Sequence, residues 1–359
     1  QLQKYISNAD KVTGKHLSLP ILNSVLLSTN NKTLIIRATN LEVGVEFQIP
    51  AQVKIEGSVA LPGSLLASTL ATITDDREVN LLVNNGICKI TTKTKNLSIK
   101  GFLADDFPTI PVVASDGYSF SIPAEKFTQG VKSVLMCAAL SDIKPEISSV
   151  YIYQNGESLI FVATDSFRLA EKKIVQKNIN LPHGVIIPAK NILEIIRILE
   201  SSQEEVNFLI SKNQLSCVGK SLYITSRVIQ GVYPDYVQIL PKTNTTEVTL
   251  LKEDLINTLK LSTLFSDKFN KITFLIDPIQ KICSISTKNN EVGETESTLT
   301  ATLIGEPIEI SLNGKHLFDC LSTIEKDSVT IQFNGPDKPA VIRGLGDASF
   351  TYLTMPLTR

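Results

Sequence analysis

The sequence predicts an α+β fold made by repetition, in which short helices alternate with runs of strands. Three observations predict it. First, a strand followed by a helix-opening residue recurs at Leu61-Pro62-Gly63-Ser64, Ile122-Pro123-Ala124-Glu125, Ile187-Pro188-Ala189-Lys190, Leu251-Lys252-Glu253-Asp254 and Leu312-Asn313-Gly314-Lys315. With Pro62, Pro123, Pro188, Lys252 and Asn313 as marks, the spacings are 61, 65, 64 and 61 residues. A fixed period of this size marks a repeated supersecondary unit. Second, a slower period of about 125 residues pairs Thr39-Asn40-Leu41 with Thr164-Asp165-Ser166, and Phe107-Pro108 with Tyr233-Pro234. Third, helical and strand periodicities alternate along the whole chain.

The helices each show one apolar stripe. The opening segment carries Leu2, Tyr5, Ile6 and Ala9. Phe127, Val131, Val134, Leu135 and Ala138 follow, then Ile192, Leu193, Ile196 and Leu199. Leu251, Leu255 and Leu259 form the next stripe, and Leu317, Leu321 and Ile324 the last. Spacings of three and four residues place such side chains on one helix face. Strands are expected between them where residues alternate or β-branched types concentrate, as at 33–38, 79–83, 88–92, 148–153, 158–163, 206–210, 271–276, 328–333 and 349–353. Turns are expected at Asn30-Asn31, Asn84-Asn85-Gly86, Asn155-Gly156 and Asn334-Gly335-Pro336.

The larger unit is therefore a two-repeat domain occurring three times: residues 1–116, 117–241 and 242–359. The boundaries fall in polar, turn-rich stretches near Asp116 and Pro241-Lys242. The first domain begins directly at its helix, whereas the others open with a strand, so its first strand is expected to be missing.

At 359 residues, with 43% hydrophobic and 20% charged residues, the composition is that of an ordinary globular protein. The net charge of −1 gives no overall basic signal, although a local positive face can hide in a neutral total. The five cysteines have no CxxC spacing and no neighbouring His, the pattern of reduced thiols in a cytoplasmic protein. There is no signal peptide and no apolar run of 18 residues, so no membrane partner is expected.

Catalytic motifs fail one by one. Gly219-Lys220-Ser221 resembles the end of a phosphate loop, but Gln214 stands where the first Gly is required, and the surroundings read as strands. His16, His183 and His316 are far apart and lack local Asp or Cys partners. The acidic pairs Asp75-Asp76, Asp105-Asp106 and Glu204-Glu205 read as solvated loops rather than metal sites. No cofactor, metal or catalytic residue is expected. The cations carry more. Lys4, Lys11, Lys15, His16, Lys126, Lys132, Lys190, Arg197, Lys252, Lys260 and Lys315 give every repeat helix except the second at least one positive charge. Helices facing one side would form a sparse positive lining that touches phosphates rather than bases, giving weak, salt-sensitive binding blind to sequence.

Ala163-Thr164-Asp165-Ser166-Phe167-Arg168-Leu169-Ala170 resembles the Ala-Thr-Asp-x-x-Arg-Leu-Ala hallmark of the bacterial DNA polymerase III β subunits, the β sliding clamps. Leu19-Pro20-Ile21-Leu22, Asp106-Phe107-Pro108, Tyr233-Pro234-Asp235-Tyr236, Leu240-Pro241-Lys242 and Met355-Pro356 match further motifs in the same order, so the resemblance covers essentially the whole chain. It implies three copies of the DNA-clamp domain, each a doubled β-α-β-β-β unit, in a head-to-tail dimeric ring with helices inside and sheets outside. It implies a replication processivity factor that encircles double-stranded DNA without reading its sequence. Partners would be a second copy of the chain, the DNA polymerase III α subunit, the clamp loader, other polymerases, mismatch-repair proteins and ligase, docking through short motifs such as Gln-Leu-x-Leu-Phe.

By position, the resemblance assigns the peptide pocket to Ile147, Thr164, Ser166, Phe167, Arg168, Leu169, Pro241, Leu353, Thr354, Met355, Pro356 and Leu357. Apolar walls, a flexible Met and a rigid Pro suit Leu and Phe side chains. Core packing is the competing reading for Ile147 and Leu169. DNA contacts are assigned to His16, Lys144, Arg197 and Arg227, and the head-to-tail contact to Leu97 and Ile99 against Leu264 and Phe265. Two departures stand out. Ser166-Phe167 replaces the family's Gly-His, and the chain ends Met355-Pro356-Leu357-Thr358-Arg359 where the family commonly has Met-Pro-Met-Arg-Leu. The rival readings are a non-DNA-binding repeat or interaction protein of the same fold, and a β-rich hydrolase, which would need a convergent triad.

Overall fold

The computed structural model describes all residues except 15–18, 74–77, 114–116, 201, 203, 242 and 358–359. Six α-helices occur among the described residues: α1 Leu2–Asp10, α2 Gly63–Ala71, α3 Ala124–Leu135, α4 Ala189–Leu199, α5 Lys252–Leu264 and α6 Gly314–Leu321. Five of them begin directly after a strand, where the marks predicted. Pro62 and Pro188 occupy the N-cap positions of α2 and α4 without a side-chain cap. Asn313 replaces proline before α6, and its Oδ1 accepts hydrogen bonds from the amides of Lys315 and His316 at 3.0 and 3.2 Å.

The predicted stripes are mostly the buried faces. Ile6, Phe127, Val131, Val134, Ile192, Leu199 and Leu317 are completely inaccessible. Two expectations are corrected. Leu251 is 53% exposed, because it precedes α5 as its N-cap and lies outside the helical period. In α4 the buried face turns toward Ile195 and Ile198, leaving Leu193 only half-buried.

Cα packing divides the chain into two compact units, residues 1–128 with 178–230, and residues 129–177 with 231–359. In the first, eight strands form one sheet in the order Ser58–Pro62, Ser24–Asn30, Thr33–Thr39, Val43–Pro50, Leu222–Arg227, Gln214–Val218, Glu205–Ile210 and Tyr118–Pro123. The joint in its middle is a ladder from Leu222 opposite Phe47 to Ser226 opposite Val43. A separate three-stranded sheet comprises Asn80–Asn84, Ile87–Thr91 and Asn96–Lys100. Helix α1 packs on α2, and Phe208 stacks between Phe120 and Phe127 at 5.0 and 4.3 Å. Burying each such ring is worth about 1.5–3 kcal/mol.

In the second unit, strands follow one another in the order Ser149–Asn155, Ser158–Thr164, Arg168–Val175, Phe350–Thr354, Ala340–Gly344, Ser328–Phe333, Thr246–Leu251 and Ala301–Gly305. Here the joint pairs Arg168 with Thr354 and Leu169 with Leu353. A four-stranded sheet orders Gly293–Thr298, Ile282–Asn289, Lys271–Asp277 and Ile308–Asn313, and α5 packs on α6. Both units thus join strands of repeats three steps apart in sequence through backbone hydrogen bonds, so compactness does not follow the repeats.

Candidate functional site

The motif at 163–170 folds as a tight turn between two central strands. Thr164 Oγ1 donates to the Arg168 carbonyl at 2.8 Å and accepts from the Ser166 amide at 3.2 Å. Asp165 Oδ1 accepts from the amides of Phe167 and Arg168, both at 2.9 Å. Residues 39–43 make the same turn. Thr39 Oγ1 donates to the Val43 carbonyl at 2.9 Å, and Asn40 Oδ1 accepts from the Glu42 and Val43 amides at 3.0 and 2.7 Å. The third residue of each turn is left-handed, with φ of +76° at Ser166 and +75° at Leu41. That conformation costs a non-glycine residue about 1–2 kcal/mol, and the side-chain bonds on either side hold it.

The two turns differ in what the second residue can add. Asn40 is neutral, and its Nδ2 donates to Glu194 at 3.1 and 3.3 Å. Asp165 is anionic, and its Oδ2 takes the Arg168 Nε at 2.9 Å. The same guanidinium reaches Asp319 Oδ2 of α6 at 2.7 Å. Burial works against the charge on Arg168, but the hydrogen bonds to Asp319 and Asp165, together with the neighbouring Tyr352 and Cys137, outweigh it and raise the Arg168 pKa. Burial and the neighbouring Arg168 charge together lower the pKa of His316. Arg168 is therefore a locked strut that ties the turn to α6.

Around this strut the expected pocket residues sort into two kinds. Phe167 is 66% exposed, Ser166 is exposed, and Met355 is 36% exposed. The Met355 amide donates to the Phe167 carbonyl at 2.8 Å, so the C-terminal segment and the turn lie side by side. Ile147, Pro356 and Leu357 are half-buried, and the Leu357 amide donates to the Ser311 carbonyl at 2.8 Å. Thr164, Leu169, Leu353 and Thr354 are buried. For Leu169 the core-packing reading holds within this chain, whereas Ile147 keeps an open side. Thr354 points to the same side of its strand as Tyr352, whose hydroxyl donates to the His316 carbonyl at 2.8 Å. Pro241 sits apart from the turn in a cavity of about 280 Å³, with Asn244, Gln332, Val341 and Arg343.

The segment leading to Pro241 is strapped to the sheet that carries Tyr151, Tyr153 and Glu171. Tyr233 stacks on Tyr151 at 4.7 Å. The Tyr236 hydroxyl donates to Glu171, and the Tyr153 hydroxyl lies 2.8 Å from that of Tyr236. Burial pushes the Tyr236 hydroxyl pKa up, reinforced by its bond to Glu171. Sequence reasoning placed the 233–236 motif but missed Glu171, Asp319 and Arg343, which lie far away in sequence.

Comparison with known proteins decides the family. Residues 1–111 match the N-terminal domain of the DNA polymerase III beta subunit, residues 121–235 its central domain and residues 237–358 its C-terminal domain. The chain belongs to the bacterial β sliding clamp family. The beta sliding clamp of Synechococcus elongatus is 26% identical over 364 residues, covering 99% of this chain and 97% of the relative. That of Staphylococcus aureus is 24% identical over 358 residues, covering 97% and 94%. Among solved structures, the DNA polymerase III subunit beta of Pseudomonas aeruginosa superposes with a TM-score of 0.93 at 23% identity, covering 100% of this chain and 98% of that one. The Thermotoga maritima subunit gives 0.93 at 24% identity, covering 100% and 97%.

The residues expected to contact DNA or a second copy lie outside this turn. Lys144 is exposed in the loop after α3, and Arg197 is exposed in the last turn of α4. Arg227 is exposed, with Glu42 at 3.5 Å, beside an open concavity of about 1,140 Å³ that Tyr118, His183 and Lys212 also line. His16 lies outside the described residues. Strand Asn96–Lys100 is an edge strand, on which Leu97 is half-buried and Ile99 only 4% exposed. Leu264 ends α5 and is 70% exposed, and Phe265 beside it is half-buried.

Proposed function

We propose that this chain acts as a replication sliding clamp that closes head to tail with a second copy around duplex DNA and docks its partners through the groove beside the 164–168 turn. Matches to all three clamp domains, in order and along the chain, carry this reading. Sliding clamps are processivity factors, not enzymes; they hold a polymerase to DNA by topology. In this reading the domains are 1–116, 117–241 and 242–359. Lys144, Arg197 and Arg227 touch phosphates weakly enough for sliding. The edge strand with Leu97 and Ile99 meets Leu264 and Phe265 of the second copy, which would cover an open sheet edge.

In the groove, Phe167 and Met355 supply the open apolar surface, and Ile147, Pro356 and Leu357 extend it. Leu169, Leu353, Thr164 and Thr354 are its packed support. Arg168 acts as a positioning residue, since both of its carboxylate partners belong to this chain. Partners would be the DNA polymerase III α subunit, clamp loader, other polymerases, mismatch-repair proteins and ligase.

The test is fluorescence polarisation of a labelled Gln-Leu-Ser-Leu-Phe peptide. Saturable binding is expected, weakened about tenfold in Met355→Ala, the scale of losing one buried apolar contact. Equal affinity of both proteins would remove Met355 from the groove. Retention on nicked circular DNA after loading, with release on linearisation, tests the ring; retention on linear DNA at moderate salt would contradict it.

A further inference from the structure

The cavity holding Pro241 has a cationic floor. Strand register explains why. Leu169 lies opposite Leu353, Leu353 opposite Val341, and Val341 opposite Gln332. Directly opposed residues in antiparallel strands share a face, so these four form one row across four strands. Arg343 stands two residues beyond Val341 on that face. The cavity is thus on the same sheet face as Leu169 and Leu353, the packed support beneath the groove. With strands about 4.8 Å apart and about 3.4 Å per residue along a strand, Arg343 lies about 8–12 Å from Leu353 and Leu169.

The guanidinium is fixed by neutral partners. Its Nε donates to Thr351 Oγ1 and one terminal nitrogen to Gln332 Oε1, both at 3.1 Å. Gln332 passes the chain to Glu247, to which its Nε2 donates at 2.8 Å. Asn244 also donates to Glu247, at 3.3 Å. Among the described residues Arg343 makes no ion pair, and two neutral oxygens satisfy only part of its five-donor fork. A cavity of about 280 Å³ lined by Pro241, Asn244 and Asn334 leaves room for one side chain over it.

We infer that Arg343 is a specificity-determining residue of this clamp, selecting partner peptides that carry an acidic side chain about three residues from their apolar anchor. An extended peptide covers about 10 Å in three residues, the span from a point above Leu169 and Leu353 to Arg343. The acidic group gains a charge-assisted hydrogen bond from a guanidinium already held in place. The inference rests on the groove reading above.

The test uses C-terminally amidated, labelled peptides in which Asp or Asn follows Gln-Leu-Ser-Leu-Phe after two glycines, or precedes it after two glycines. With the full-length protein, the Asp peptide of one flank is expected to bind about fivefold tighter than its Asn partner. Arg343→Gln is expected to abolish that preference while the Asn peptide binds as before. Arg343→Lys, which keeps the charge, is expected to retain part of it. Equal affinity of Asp and Asn peptides on both flanks in the unaltered protein would overturn the inference and leave the groove reading standing. A preference that persists in Arg343→Gln, or vanishes in Arg343→Lys, would also overturn it. Failure of the unextended peptide to bind would instead overturn the groove reading, and this inference with it.

Discussion

Replacing Asp319 by Ala should destabilise the unit that contains it far more than loss of a surface ion pair would. Arg168 and Asp319 side chains are only 14% and 28% exposed, and their contact is 2.7 Å. Removing one partner of a fully buried pair costs about 3–5 kcal/mol, because the other charge is left unpaired. An exposed pair is worth about 0.2–1 kcal/mol. Here Asp319 is partly hydrated and Arg168 keeps Asp165 at 2.9 Å, so the cost lies between, at about 1.5–3 kcal/mol. At about 2–4 °C per kcal/mol for a unit of this size, the melting temperature should fall by about 3–12 °C. Differential scanning calorimetry measures it. Arg168→Met and the double variant complete a cycle, in which the double variant should recover about 1–2 kcal/mol relative to additivity, since neither member of the Arg168–Asp319 pair is left without the other. A loss below about 0.5 kcal/mol for Asp319→Ala, with an additive double variant, would refute the view of Arg168 as a locked strut.

Four further outcomes are expected. Ser166→Gly should stabilise the protein by about 0.5–1 kcal/mol in denaturant titration, since glycine adopts a φ of +76° without strain, and Leu41→Gly should do the same in its turn. Gly130→Ala should destabilise by up to about 2 kcal/mol. The added Cβ would lie 2.6–2.8 Å from the fully buried Phe161 ring, and overpacking of about 1–3 kcal/mol exceeds the gain in helix propensity. Asn313→Ala should cost about 1 kcal/mol by uncapping α6, again read from denaturant titration. The Glu194 carboxyl is pushed up to about 7 by burial, against the pull of Asn40 and Arg197. A raised carboxyl pKa favours the folded state while the group is protonated. That contribution is complete below about pH 4.5 and is lost as pH rises through about 7. Glu194→Gln should therefore gain about 1–2 kcal/mol over the parent at pH 8 and nothing at pH 4, allowing for partial solvent screening. A constant difference across that range in thermal melts would contradict it.

The helices were legible because their stripes follow a single period and because a strand end precedes each of the last five. Leu251 misled because an apolar residue just before a helix continues the stripe in sequence but not in space. The strand Gly293–Thr298 gives no signal, since Gly-Glu-Thr-Glu-Ser-Thr has no apolar alternation and pairs on one side only. The 163–170 turn could be located from its motif, and its duplicate at 39–43 from the slower period. The partners that give the turn its chemistry could not. Asp319 lies 151 residues from Arg168, and Glu194 lies 154 from Asn40. Only the folded backbone brings those carboxyls into reach, and nothing in their local sequence marks them. The cationic floor at Arg343 was hidden for the same reason, because its meaning depends on strand register.

The ladders that bind Leu222–Arg227 to Val43–Pro50, and Arg168–Val175 to Phe350–Thr354, set the number of repeats. An open solenoid can gain or lose a module, because each module offers its neighbour the same surface. Here each joint consumes one strand edge from either side, and the two edges come from different repeats. Deleting a repeat would leave an unmatched row of amides and carbonyls within a sheet, and inserting one would separate strands that now share bonds. The length of the chain in modules is thus held by the hydrogen-bond count at the seams.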